Sequence, residues 1–330
     1  MNTYITLDYE LFFGKSGTVE KSIQEPTQKL LDVLNKYNAK AVFFVDIGYL
    51  IRCKELEVIY PNLKKDVLKV KNQIKTLVEQ GHDIQLHIHS HWEDAYIENG
   101  EWKFPMEHYR LHSFTEQECV SIFKKYKNYL EEISGQEVVA FRAGGWCIQP
   151  FNKLKHAFLE SGITIDSTVF KNGKNVHGSH FYNFENTPDT TEWNFTDDPC
   201  VPEDNGKFKE IPISSYRVSL LFFWKLIFYK KFGGKAHQQI GDGYAVKNGL
   251  GQKLRLLFKN SNTVVSIDGY KTSYLQKAYN HYKHKFTEQD NFVIIGHPKA
   301  FSDYSLVTLD KFLSENITTL NIRTFRKYEE

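Results

Sequence analysis

The chain has few cysteines, no excess of charge of one sign and no long apolar run, and each shortage narrows what it can be. Four cysteines in 330 residues, Cys53, Cys119, Cys147 and Cys200, lie far apart with no Cys-x-x-Cys, which fits reduced thiols in a cytoplasmic protein. A net charge of +2 gives no electrostatic case for nucleic acid as a partner. The N-terminus enters Tyr4-Ile5-Thr6-Leu7 at once, without the basic segment, apolar core and cleavage site of a secretory leader, so a cytoplasmic location is expected. The most apolar stretch, Val218 to Tyr229, is too short to span a bilayer and carries Lys225. It reads as a buried helix; the alternative is an interfacial helix, a peripheral contact of residues 218–229 with a membrane or a lipid-linked substrate. No internal repeat, linker or composition break divides the chain, so residues 1–330 are expected to form a single domain.

Hydrophobic residues at 41% and charged residues at 25% are those of a globular protein and argue against disorder or coiled coil. Aromatics reach 15%, and aromatic faces suit carbohydrate rings as well as cores. Apolar strands alternate with helical periodicity along the whole length. Strand Asn2 to Leu7 is followed by a helix over Thr27 to Tyr37, strand Ala41 to Val45, and a lysine-rich helix over Lys64 to Gln80 that stops at Gly81. Thr115 with Glu118 forms a capping box for a helix to Ser134, ahead of strand Val138 to Phe141. Further strands are expected at Ile163–Ile165, Glu210–Ser214, Thr263–Ile267, Phe292–Ile295 and Thr318–Phe325, and helices at Leu220–Phe232, Gln252–Lys259, Tyr270–Lys285 and Ser302–Leu313. This order predicts an α/β fold with a parallel sheet and crossover helices, closed as a barrel or doubly wound. Two long loops interrupt it, at about 92–114 with an Asn99-Gly100 turn, and at 171–209, where Trp193, Tyr182 and Phe195 serve either substrate recognition or packing.

Polar residues gather where strands end, the edge at which α/β folds bind ligands. The first strand delivers Asp8-Tyr9-Glu10. Strand Ile84 to Ile88 runs into His87, His89 and His91, then Trp92. If the chain stays extended the three imidazoles share a face; if it turns helical, His87 and His91 stay together at i, i+4 and His89 swings aside. Strand Val138 to Phe141 ends in Arg142-Ala143-Gly144-Gly145-Trp146-Cys147: an arginine able to hold a carboxylate ionised, two glycines that permit close backbone approach, and a tryptophan that offers a stacking wall. Asp166 and His297 stand at two further strand ends, and a histidine there suits general acid or base work. Two histidines and a carboxylate make a metal site with an open position, the kit of metal-assisted acyl hydrolysis.

The ordered set Thr6-x-Asp8, Gly81-His82-Asp83-Ile84 with His87-x-x-x-His91, Phe141-Arg142, Gly162-x-x-x-Asp166-Ser167 and Gly296-His297-Pro298 resembles the polysaccharide deacetylase family, also called NodB-like or carbohydrate esterase family four. The resemblance implies a distorted (β/α) barrel of about seven parallel strands and removal of an acyl group, most simply acetyl, from an N-acylated sugar or glycan. It gives Asp8 the role of base, Arg142 that of orienting it, and His297 that of general acid with Asp166 as partner. His87 and His91 become ligands of one divalent ion, most simply Zn²⁺. The family's second aspartate is replaced by Tyr9, so Glu10 is expected as the carboxylate ligand, since alternation puts it on the face of Asp8. Gly144, Gly145, Trp146, Trp92 and Trp193 are expected around the substrate. The competing readings are an amidohydrolase-type C–N hydrolase built on His87-Ile88-His89, a deformylase, and a carbohydrate-binding protein without turnover.

Overall fold

The computed structural model describes residues 1–176, 178, 180–245 and 261–326. The regular elements that position the site are, in chain order, β1 (Asn2–Tyr9), α1 (Glu25–Asn35), β2 (Val42–Asp46), α2 (Gly48–Leu56), α3 (Leu63–Glu79), β3 (Asp83–Ile88), α4 (Glu116–Ser134), β4 (Ala140–Ala143), α5 (Asn152–Ser161) and β5 (Ile165–Asp166). There follow β6 (Trp193–Phe195), β7 (Phe208–Glu210), β8 (Ser215–Val218), α6 (Leu220–Phe232), β9 (Ser261–Val264), α7 (Leu275–Lys285), β10 (Asn291–Gly296), α8 (Asp303–Asn316) and β11 (Asn321–Ile322). The chain is α/β, with the alternation of parallel strands and helices of the distorted (β/α) barrel class expected from its sequence. Its contacts divide it into two compact units, one of Met1–Ala39 with Ile213–Ile322, the other of Lys40–Pro212 with the segment from Arg323.

In the first unit β1 is almost wholly buried, as a parallel strand covered on both faces is. It pairs in parallel with β10, from Asn2 opposite Asn291 to Leu7 opposite Gly296, and with β11 at Asn2 and Thr3. Parallel pairing in this register makes the carboxyl ends of β1 and β10 neighbours. Asp8 and His297, one residue beyond the paired Leu7 and Gly296, therefore emerge side by side. The helix expected over Tyr270–Lys285 begins as a 3₁₀ segment, Gly269–Tyr274, and becomes α7 only at Leu275. The terminal strand expected over Thr318–Phe325 shortens to β11. The helix expected over Gln252–Lys259 lies outside the described residues.

In the second unit β2, β3, β4, β5 and β7 pair in parallel in that order, and β6 adds antiparallel to β7. The register sets Asp46 opposite His87 and His87 opposite Arg142, so the three stand abreast on neighbouring strands. One step lower, Asp166 faces Phe141 on one side and Glu210 on the other. α3 buries Leu63, Val67, Val70, Ile74 and Leu77, the stripe its sequence spacing predicts. The capping box at Thr115 is present, with the Thr115 hydroxyl accepting from the Glu118 N–H and the Glu118 carboxylate accepting from the Thr115 N–H. α2 escaped the sequence reading because only Tyr49, Leu50 and Cys53 bury a side chain there, too few to make a periodic signal.

His82 of the Gly81-His82-Asp83 motif proves structural. Its Nδ1 accepts from the Ala41 N–H at 3.0 Å, and burial, with Lys40 nearby, pushes its pKa down to about 4. Asp83 accepts from the Gln85 side chain and from the backbone N–H groups of Phe325 and Arg326, tying the C-terminal segment to β3. A histidine kept neutral when folded and protonated near pH 6.5 when unfolded contributes stability that is present above that pH and lost as pH falls towards 4. Between pH 6.5 and pH 5 the loss amounts to about 2 kcal/mol. Denaturant midpoints at pH 7 and pH 5 check this: the wild type is expected to fall further than His82→Asn, whose Oδ1 replaces the accepting nitrogen. Equal falls would mean that His82 does not titrate in this way.

Candidate active site

Three side chains converge at the carboxyl ends of β1 and β10. The carboxylates of Asp8 and Glu10 and the imidazole of His297 offer ligand-type atoms that lie within 4.8 Å of one another. His297 Nε2 stands 3.5 Å from Asp8 Oδ2 and 3.8 Å from Glu10 Oε1, so alternation does put both carboxylates on one side, while Tyr9 turns into the core. The opposite edge of the imidazole is held by Asp268, which accepts from Nδ1–H at 2.9 Å and from the His297 backbone N–H at 2.8 Å. Burial alone would raise Asp268, but the charge and hydrogen bond of His297 outweigh it and, with Lys271, bring its pKa to about 2. Burial alone would lower His297, yet Asp268, then Asp8 and Glu10, carry it above the ordinary histidine value. Glu10 also receives Lys299 at 3.0 Å, whose ammonium donates in addition to the Leu11 carbonyl at 2.6 Å. This is an imidazole poised as a proton donor, with a carboxylate opposite its outer nitrogen.

The sequence assigns the partner of His297 to Asp166; the structure puts Asp268 there. Asp166 lies in the other unit, where it accepts from the Thr168 hydroxyl at 2.7 Å and from the Thr168 N–H at 3.1 Å. It also shares a hydrogen bond with Glu210, whose carboxyl is pushed far up by burial and by the charge of Asp166, so Glu210 is the protonated member of the pair. Thr168 in turn accepts from the Ala143 N–H at 2.9 Å, and Arg142 donates to the Ser167 carbonyl at 2.7 Å and the Ser167 hydroxyl at 3.0 Å. The guanidinium lies 4.1 Å from the Phe44 ring centroid. Asp166 thus anchors the turn that carries Arg142.

The histidine segment leaves β3 at Ile88, keeps His89 extended and then enters a 3₁₀ turn at Ser90–Glu93. Both expected geometries are combined, and His89 does not swing aside: its ring centroid lies 4.8 Å from that of His87 and 5.1 Å from that of His91. His87 donates from Nδ1–H to the Arg142 carbonyl at 2.8 Å, which places the lone pair on Nε2. Asp46, buried at the end of β2, accepts from the His89 N–H at 3.3 Å and from the Trp92 indole at 2.6 Å, and so anchors the whole segment. The His-rich turn is built as a ligand set is built, with the His87 imidazole oriented by the Arg142 carbonyl and the backbone of the turn anchored by Asp46.

Several expected substrate contacts turn inward instead. Trp92 is 2% exposed and packs edge-on against Trp102 and Phe104, because its N–H is taken by Asp46. Trp193 donates to the Pro199 carbonyl, and Phe195 packs on Phe151 and Phe208, so the 171–209 loop uses these residues for packing. Trp146 is half-buried beside Phe170 and Tyr182. At Gly144 an added Cβ would lie 2.6 Å from the Ile88 carbonyl and 2.7 Å from His89 Nδ1, the close approach that demands glycine; Gly145 has φ +61°. Burial raises the Cys147 thiol, which rules against a nucleophilic role.

Residues 4–149 match the family model for polysaccharide deacetylase. This is the family that the ordered motifs resemble; Asp8, the His87–His91 segment and Arg142 fall inside the match, whereas Asp166, Asp268 and His297 lie beyond it. No curated protein matches the chain. Among solved structures it is similar to a polysaccharide deacetylase from Bacillus cereus, at 13% identity and a TM-score of 0.44 over 100% of this chain and 94% of that one. It is also similar to the catalytic domain of a peptidoglycan N-acetylglucosamine deacetylase from Eubacterium rectale (13%, 0.39, 98% and 88%). A third likeness is to a 4-alpha-glucanotransferase from Thermococcus litoralis (12%, 0.49, 99% and 39%).

Proposed function

We propose that residues 1–330 act as one catalytic domain, a metal-dependent hydrolase that removes an N-acyl group, most simply acetyl, from an amino sugar of a surface glycan or its precursor. The observation that carries this reading is the imidazole of His297, gripped at Nδ1 by Asp268 and facing the Asp8 carboxylate with Nε2. In amide hydrolysis the C–N bond resists cleavage until the nitrogen is protonated, and water attacks only once a base relieves it of a proton. Asp8 takes that proton, and Arg142, by the family motif, holds Asp8 ionised and oriented. His297 gives its Nε2 proton to the departing sugar nitrogen, while Asp268 keeps the imidazolium aligned. A backbone N–H of the Gly144-Gly145 turn serves the oxyanion that forms on the carbonyl oxygen. The products are a free carboxylate and a free amine.

The donor set fits a divalent ion. The His87 tautomer carries its lone pair on Nε2, His91 follows at the family's spacing, and a carboxylate completes a site with an open position. His87, His91 and Glu10 would hold one ion, most simply Zn²⁺, and such an ion supplies Lewis-acid polarisation of the carbonyl and lowers the pKa of water. The ligand types, imidazole with carboxylate, suit zinc better than the all-oxygen cations.

Incubation of the protein with N-acetylated amino-sugar oligomers, followed by assay of released acetate and new amine, tests the reading. Equal amounts of both are expected; glycan bound without either product would leave a binding protein. Asp268→Asn separates the acid's positioning from its presence. It is expected to lower kcat with little change in KM, and by less than removal of His297 itself, which costs on the order of 10² to 10⁴ in rate. An unchanged kcat would detach Asp268 from the chemistry.

A further inference from the structure

The apolar run at 218–229 is expected from its sequence as a buried helix, and it is not one. Of α6 only Phe222 and Phe223 are buried, packed with Val218 and, beneath, Tyr216, Leu226, Tyr270 and Tyr274. The other side presents Leu221 at 63% exposure, Trp224 at 49%, Phe228 at 56% and Phe232 at 65%, residues that follow one another at helical spacing along a single stripe. A contiguous apolar stripe of this kind marks a surface that meets something.

The charge around the stripe selects the occupant. Lys225, Lys230, Lys231 and Lys235 are all exposed, and between Glu210 and Asp242 the sequence contains no Asp or Glu to neutralise them. Two copies of this face would press lysines against lysines, whereas an anionic lipid surface meets both requirements at once. Aromatic and leucine side chains enter the boundary between headgroups and acyl chains, and lysine stems lie along them with their ammonium groups among the phosphates. The helix is too short to cross a bilayer, and no helix among the described residues is long and apolar enough to do so. We propose that α6 docks the protein in the plane of an anionic membrane, with the Leu221–Trp224–Phe228–Phe232 stripe inserted and the flanking lysines on the headgroups. This inference does not depend on the deacetylase reading.

Cosedimentation of the full chain with vesicles of phosphatidylcholine and phosphatidylserine, against phosphatidylcholine alone, tests it. Binding is expected only to the anionic vesicles and is expected to weaken with salt. Lys230→Gln with Lys231→Gln should weaken partition roughly thirty-fold. Trp224→Ser with Phe228→Ser should abolish it, while circular dichroism and the melting temperature of both variants stay at wild-type values, since the replaced side chains are on the surface. Failure of the wild type to bind anionic vesicles, or undiminished binding by the serine variant, would overturn the proposal. So would a wild-type dimer that the serine substitutions convert to monomer without any vesicle binding, which would make the stripe a contact between copies.

Discussion

Asp8→Asn is expected to lower acyl release by on the order of 10² to 10⁴, with the fold intact. The amide side chain keeps the size and most hydrogen-bonding capacity of the carboxylate, so the loss isolates two things an amide lacks: a site for the proton of the attacking water and a negative charge opposite His297 Nε2, 3.5 Å away. The measurement is kcat on an N-acetylated oligosaccharide beside KM or ground-state affinity for the same sugar. A collapse of kcat with affinity retained is the expected pattern, because the base acts in the transition state and not in binding. Unchanged kcat would move the base to Glu10, which shares the same face but is already engaged by Lys299 at 3.0 Å. Asp8→Asn and Glu10→Gln compared in one assay would then settle which carboxylate works.

The second large effect is expected from His87→Ala combined with His91→Ala. The wild type should carry about one equivalent of a divalent metal by elemental analysis and the double variant none, with acyl release falling with it. His87 also donates to the Arg142 carbonyl, so its removal costs about 1 kcal/mol of stability from that hydrogen bond and some positioning of Arg142. Circular dichroism and a thermal melt therefore accompany the metal analysis. Metal retained by a folded double variant would shift the site to the cluster of Asp8, Glu10 and His297, whose ligand atoms already lie within 4.8 Å of one another. His89 stands beside both other rings and offers a ligand atom within 4.8 Å of one on His87, so His89→Ala is measured alongside: loss of the ion in that variant would add His89 to the ligand set.

Residues whose role depends on their own strand were legible in the sequence. Asp8, Glu10, the histidine series, Arg142 and His297 all sit where an apolar run stops, and period-two alternation was enough to put the first two on one face. Residues whose role depends on a neighbouring strand were not. Asp46 serves His89 and Trp92 only because β2 and β3 pair in a register that no local pattern encodes. Asp268 follows a strand end that the periodicity located, but its partner stands 29 positions further on, and Asp166, in an equivalent place after another strand, looked equally eligible. Glu210 and Lys299 gave no signal, since a buried carboxylic acid and a buried ammonium read in sequence as surface charges. α6 misled for a related reason: apolar residues on nearly every side of a helix carry no periodicity to tell a buried helix from one that leaves a face exposed. Trp92 and Trp193, expected around the substrate, are buried instead, because an indole next to a polar cluster reads the same in sequence whether it faces out or in.

The proposed chemistry is amide hydrolysis driven by Asp8 and His297 with a metal held by the histidine segment. Acyl release from an N-acetylated amino-sugar oligomer, measured on the native protein, after a chelator, and after zinc is restored, tests it most directly. Acetate and free amine are expected in equal amounts, with loss of both on chelation and recovery of both with metal. Sugar bound tightly in all three conditions with no acetate in any of them would contradict it.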